Sequence, residues 1–253
     1  MKRRKFIQSS IVASTIPLAA SGKRNDSTED LQKELYELRT YELKFAGYHQ
    51  LLIDYLKTAL QPALKKIGVN HFMLFEELGN AEPKKMWVLI NYPNANIYLQ
   101  SQNLSEDSVY QTAAKKYNDW GPEQPVYNRF SSSLLLAFDG LPKMLNPIEG
   151  ANLFELRTYE GYSEDAVRRK IKMFNVEEIE LFYKTKLNPI FFGEMIAGPH
   201  RPCLTYLLNF KDMEERDANW NDFVQHPEWK RMSAEKKYAN SVSNIRKTFL
   251  KPM

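Results

Sequence analysis

At 253 residues, 43% hydrophobic and 13% aromatic, the chain can fill one large domain or two smaller ones, which excludes global disorder. Its 35 Lys and Arg against 31 Asp and Glu give +4, but Lys2, Arg3, Arg4 and Lys5 account for that excess. No basic stripe is left to track phosphates, so nucleic-acid binding is not expected.

In chain order, residues 1–21 read as an export signal of twin-arginine type. A basic start with adjacent arginines leads through Phe6 and Ile7 to an apolar, small-residue stretch from Ile11 to Ala20. Ala19-Ala20-Ser21 offers a cleavage site, and no Asp or Glu occurs in the segment. The apolar run, broken by Pro17, is too short to span a bilayer. The expectation is therefore a periplasmic or otherwise exported protein with no stable membrane anchor once mature. Residues 22–33 (GKRNDSTEDLQK) are polar and charged and read as a flexible leader. Cys203, the single cysteine, excludes an internal disulfide, so stability must come from packing.

From Leu35 to Glu42 the chain reads LYELRTYE and alternates with period two, the pattern of a half-buried strand. A helix follows with Leu52, Leu56, Leu60, Ala63 and Ile67 on one face, and Pro62 is expected to kink it. His71–Leu78 and Met86–Tyr92 read as a hairpin around Gly79-Asn80. A second helical region and a strand at Ser131–Phe138 complete the series. At Leu153 the opening octet returns as LFELRTYE, 118 residues on, and the register persists. Asn70 matches Asn188, Glu76 matches Glu194 and Asn91 matches Asn209. The second series has Ser163 as a helix N-cap, a hairpin around Gly198-Pro199 and a last strand at Ile245–Lys251.

The chain thus reads as unit 1 at 34–139, a Pro- and Gly-bearing linker at 140–151 and unit 2 at 152–253. The order β-α-β-β-α-β in each is that of a ferredoxin-like unit, giving an α+β class. One such sheet carries helices on one face only. Two facing sheets would bury the other, making a pseudo-dimer, an α/β-barrel closed within one chain. The repeated ELRTYE strand, the aromatic-rich helix after it, and the run from Trp220 to His226-Pro227-Glu228-Trp229 resemble the NIPSNAP family. The resemblance covers roughly residues 34–251 and implies a dimeric α/β-barrel of ferredoxin-like units, often in tandem, without an established general reaction. Unit 1 departs from the family pattern after Tyr92, since it lacks the His-Pro-Glu-Trp run.

Strand alternation puts Glu37, Arg39 and Tyr41 on one face, and Glu155, Arg157 and Tyr159 on the equivalent one. The mostly apolar opposite set, Tyr36, Leu38, Thr40 and their counterparts, is expected to pack against the helices, leaving the polar set to line the space between the sheets. There it would either contact a small-molecule ligand or pair internally as a structural network. Among the four histidines, His71 at a strand start and His226 before Pro227 are the candidates for acid–base work. A satisfied structural histidine is the alternative for each, with His226 matching Ser105 as a helix start. His200 falls in a surface turn and His49 near a helix start. No metal-ligand spacing, nucleotide loop or nucleophile motif is present, so no metal and no cofactor are expected. Two functions fit: small-molecule binding or assembly, with a further homodimer compatible, or a cofactor-free enzyme. The latter would be of oxygenase, isomerase or lyase type on a small aromatic or sugar-like substrate.

Overall fold

The computed structural model describes residues 32–253; the export-signal expectation and all but the end of the leader lie outside the described residues. The first half runs β1 (Leu35–Leu43), α1 (His49–Tyr55), α2 (Gln61–Lys66), β2 (Phe72–Glu77) and β3 (Lys85–Tyr92). It ends with α3 (Ala95–Gln100), α4 (Ser108–Asn118) and β4 (Tyr127–Ala137). The second half runs β5 (Leu153–Glu160), α5 (Glu164–Met173), α6 (Ile179–Lys184), β6 (Pro189–Ala197) and β7 (Cys203–Phe210). It ends with α7 (Met213–Gln225), α8 (Pro227–Ser233) and β8 (Asn244–Pro252).

All eight strands pair antiparallel in one closed barrel, in the order β1-β3-β2-β8-β5-β7-β6-β4. Each half supplies four neighbouring strands, and two seams join the halves: β2 to β8, and β4 to β6. Closure removes the exposed sheet edges that invite aggregation. The seams are short. Leu134–Ala137 of β4 meet β6, and Phe75–Glu77 of β2 meet β8, whereas β1–β4 and β5–β8 pair along nearly their whole lengths.

Ser163 caps α5, accepting from the Ala166 N–H at 3.2 Å. In the first half, Asp107 rather than Ser105 caps the later helix, accepting from the Val109 and Tyr110 N–H groups. A carboxylate there also suits the positive end of the helix dipole. The kink expected from Pro62 takes the form of a π turn at Leu56–Leu60, just before it. The second half has a π turn at Phe174–Glu178, 118 residues on, with no proline nearby. The irregularity therefore belongs to the packing that both halves share.

Three apolar clusters hold the molecule together. Two lie between helices and sheet, one in each half. The third fills the barrel interior with residues of both halves, and its aromatic pairs, Tyr36–Phe191 at 5.0 Å and Phe75–Phe154 at 4.9 Å, cross between them. The connection between the halves is not a free linker. Leu141 and Met144 are buried, the Met144 N–H donates to Glu34 at 2.7 Å, and the Leu145 N–H donates to the Ile190 carbonyl at 2.9 Å. The Ile148 N–H donates to Asn209 Oδ1 at 2.8 Å.

One seam depends on a glycine. Gly198, at φ +138°, follows directly on β6 at a point where a Cβ would lie 2.7 Å from Ser133 Oγ and 2.9 Å from its Cβ. Gly198→Ala is expected to cost about 1–3 kcal/mol through backbone strain alone. A urea midpoint equal to that of the unsubstituted protein would contradict this close approach.

Candidate functional site

The repeated Glu, Arg and Tyr side chains do not line the space between the sheets. Leu35 and Tyr41 belong to the helix-covered cluster of the first half, and Leu153 and Tyr159 to that of the second. Tyr36, Leu38, Phe154 and Leu156 fill the barrel interior instead. The inner and outer faces expected for β1 and β5 are thus exchanged. The reason is physical: helices cover one face of each strand and the opposite half covers the other. Alternation then tells which residues share a face but not which face is inner.

Beneath the helices of the first half, Glu37 accepts from Arg39 Nε at 2.7 Å and Nη2 at 2.9 Å. It also accepts from the Tyr92 hydroxyl at 2.8 Å and the Ser132 hydroxyl at 2.7 Å. Tyr41 stacks on Phe130 at 5.0 Å. In the second half Glu155, fully buried, accepts from Arg157 Nε at 2.7 Å and from Arg216 Nε and Nη2 at 2.9 Å each. Trp220 Nε1 donates to it at 2.8 Å. Arg157 stacks on Trp220, 3.6 Å from the ring centre, and donates to the Tyr159 hydroxyl at 3.3 Å, which accepts from Tyr206 at 2.8 Å. A carboxylate offers about four acceptor positions, so neighbours occupy all those of Glu37 and Glu155. Burial alone would raise both pKa values. The Arg39 pair for Glu37, and the Arg216 and Arg157 contacts for Glu155, outweigh it and hold both carboxyls below the usual range.

A second buried pair lies nearby. Lys170 on α5 donates to Glu178 at 2.6 Å, both almost wholly buried, with the ammonium 4.7 Å from the Phe174 ring centre and 5.4 Å from that of Trp229. Burial pushes the Glu178 carboxyl up despite Lys170. Sequence reasoning missed Arg216, Lys170 and Glu178. One signal was readable: Lys170 falls on the apolar stripe of Val167, Ile171 and Phe174, and the 118-residue offset sets it against Leu52, with Glu178 against Leu60.

Of the histidine candidates, His71 precedes β2 and is half-buried; its backbone N–H donates to Asn91 Oδ1 at 2.6 Å. His226 caps α8, its Nδ1 accepting from the Glu228 N–H at 3.2 Å. Neither reaches the Glu–Arg clusters by a hydrogen bond among the described residues. Burial pushes the Cys203 thiol up to about 11, so it stays protonated at neutral pH and is no ready nucleophile. No group of three or more His, Cys, Asp or Glu among the described residues could hold a metal ion. No helix among them is long and apolar enough to cross a membrane.

The open space lies elsewhere. Where the seams stop, the barrel splays into a cavity of about 490 Å³. Leu38, Leu156 and Met195 form its apolar side, and the strand ends bring Thr40, Thr158, Ser131, Ser133 and Thr248 around it. Trp87, half-buried, lines it with Nε1 bonded to Glu77 at 2.8 Å. At the rim Arg246 is bound by Glu160, with His200 Nδ1 3.7 Å from the same carboxylate. None of the six repeated Glu, Arg and Tyr residues lines this cavity, nor does His71 or His226. The sequence signal for it was the alternate set of each strand, read as helix-facing.

No curated protein matches the sequence. Among solved structures, a provisionally named monooxygenase from Lactobacillus acidophilus is similar over 87% of this chain and 94% of its own, at 10% identity and TM-score 0.56. Another so named, from Fusobacterium nucleatum, is similar over 87% and 92%, at 13% identity and TM-score 0.52. At these identities the likeness is one of fold. A NIPSNAP-like domain protein from Burkholderia xenovorans aligns with 40% of this chain and 84% of its own, at 22% identity and TM-score 0.37. The NIPSNAP family model matches residues 154–253, from Phe154 through the Glu155–Arg157 cluster and the His-Pro-Glu-Trp run to the end of β8. The second half of this α+β barrel is thus the part that matches the NIPSNAP family model.

Proposed function

We propose that this is an exported protein that binds a small molecule at the open end of its barrel, without strong catalysis. One observation carries the reading: two short seams leave a cavity of about 490 Å³, within the usual range for ligand sites. The Glu–Arg clusters, with their acceptor positions filled, act as architecture. In the same reading the two halves are tandem ferredoxin-like units, and their union is the intramolecular counterpart of a dimeric α/β-barrel. The matching order of helices and strands in each half, and the equal offset of the two π turns, support it.

Export rests on the twin arginines Arg3 and Arg4 and the acid-free apolar stretch after them. A single recovery experiment examines both parts. Protein isolated from the periplasm of its own cells should have lost its first ~20 residues, and native mass spectrometry should show a small adduct. That adduct should vanish in Thr40→Trp, which fills the mouth. Protein retained in the cytoplasm would overturn export. An adduct indifferent to Thr40→Trp would overturn the site.

A second reading, cofactor-free chemistry, has one observation in its favour. Glu178, whose pKa burial raises, sits with Lys170 in an aromatic box beneath α5, the type of perturbed pair that active sites use. The large cavity does not open onto it, so this reading stands second.

A further inference from the structure

Residues of both halves line the mouth, and comparing them at the 118-residue offset shows where the repeat has been abandoned. At that offset Leu38 matches Leu156, Thr40 matches Thr158 and Glu42 matches Glu160, so the frame is kept. On β2 and β3, however, Glu77 and Trp87 stand where β6 and β7 carry Met195 and Thr205. The same two barrel positions thus hold a bonded carboxylate and indole on one side and a thioether and hydroxyl on the other. A frame needed only for closure would be served by the same pair twice.

The polar groups left free indicate the ligand's chemistry. Thr40, Ser131 and Thr248 make no side-chain hydrogen bond among the described residues, although all three line the cavity. Glu77 spends one oxygen on Trp87, its other oxygen makes no hydrogen bond among the described residues, and the bond fixes the indole ring. Charge is close to balanced. Glu42 and Glu77 stand against Lys85 and Lys247, while Arg246 is already neutralised by Glu160. A strongly charged ligand would therefore find no uncompensated opposite charge. A wholly apolar or aromatic ligand would strip water from the hydroxyls and carboxylates and give nothing in return.

From this arrangement we infer that the mouth takes a neutral, polyhydroxylated ring, a monosaccharide or cyclic polyol. Its C–H face would lie on Trp87 and the Leu38, Leu156 and Met195 side. Its hydroxyls would donate to Glu77 and exchange hydrogen bonds with Thr40, Ser131 and Thr248. Carboxylates are strong acceptors for such hydroxyls, and an indole offers the apolar half of an amphipathic surface. This inference rests on the small-molecule reading of the same cavity.

Saturation-transfer NMR on the full chain tests it with four probes: myo-inositol, glucose, gluconate and benzyl alcohol. The polyols should bind at least about tenfold tighter than gluconate or benzyl alcohol. Glu77→Gln, which keeps the shape and removes the charge, should weaken them by about tenfold. Trp87→Leu should weaken them too, with its circular dichroism spectrum reporting that the fold is kept. Preference for gluconate or benzyl alcohol, abolished by Thr40→Trp, would overturn the polyol assignment and leave the mouth as the site. Binding of every probe undisturbed by Thr40→Trp would overturn the mouth itself, and the assignment with it.

Discussion

Glu155→Ala is expected to be among the most destabilising single changes in this protein, with a loss of about 3–5 kcal/mol, because it strands buried cations. Arg157 and Arg216 both converge on this fully buried carboxylate, with Trp220 as a fourth donor. Without it, the buried Arg157 keeps only the Trp220 ring and the Tyr159 hydroxyl and has no counter-charge, while Arg216 is left with the exposed Asp217 alone. Glu155→Gln keeps the volume and one acceptor oxygen, so its loss should be smaller. Urea midpoints of the two variants check the order, and a Glu155→Ala midpoint within error of the parent would refute it. The same carboxylates set an acid limit. Glu37 and Glu155 have folded pKa values below the ordinary value of 4.5, so the unfolded chain takes up their protons more readily. Their contribution is present above about pH 4.5 and is lost as pH falls through the folded values. Melting temperature should therefore drop on acidification below that point, and drop less in Glu155→Gln.

For the buried pair Lys170–Glu178, the first half supplies an internal control. The positions 118 residues earlier are Leu52 and Leu60, both buried on the corresponding helix segment. An apolar pair therefore serves at this place in the fold. Removing one partner, by Lys170→Ala or Glu178→Ala, should cost about 3–5 kcal/mol, since a lone charge is left beneath the helix. The double change Lys170→Leu with Glu178→Leu should recover most of that loss and could exceed the parent, because desolvating two ions offsets much of their attraction. A double-mutant cycle read by urea denaturation measures the coupling. If the double variant is as unstable as the sum of the singles, the two halves do not tolerate the same packing and the control fails.

The architecture was legible because the octet at Leu35 returns at Leu153, and alternation, helical stripes and turn residues recur with it. Those are local signals, and they placed every strand, although β4 begins at Tyr127 rather than Ser131. What sequence could not supply was direction. With helices outside and a second sheet inside, both faces of β1 are covered, so Glu37 and Tyr36 carry no mark of which one looks inward. The usual inference, apolar toward the helices, fails because the paired charges find partners beneath those helices in Ser132, Tyr92, Arg216 and Trp220. Three of these come from elements more than 50 residues away in the chain, and Ser132 from nearly a hundred, beyond the reach of any local pattern. The cavity was hidden for a related reason. It exists because two strand pairings stop early, a property of register between the halves that no single strand encodes.

The connecting segment at 138–152 has a consequence for traffic. Its backbone is stitched to Glu34, Ile190 and Asn209, and Met144 is wedged among the interior side chains at the end away from the mouth. Among the described residues that end is therefore closed. On the reading proposed above, a ligand held at the mouth would arrive and leave by the same opening, a shape that favours retaining a cargo until it is displaced over conducting it.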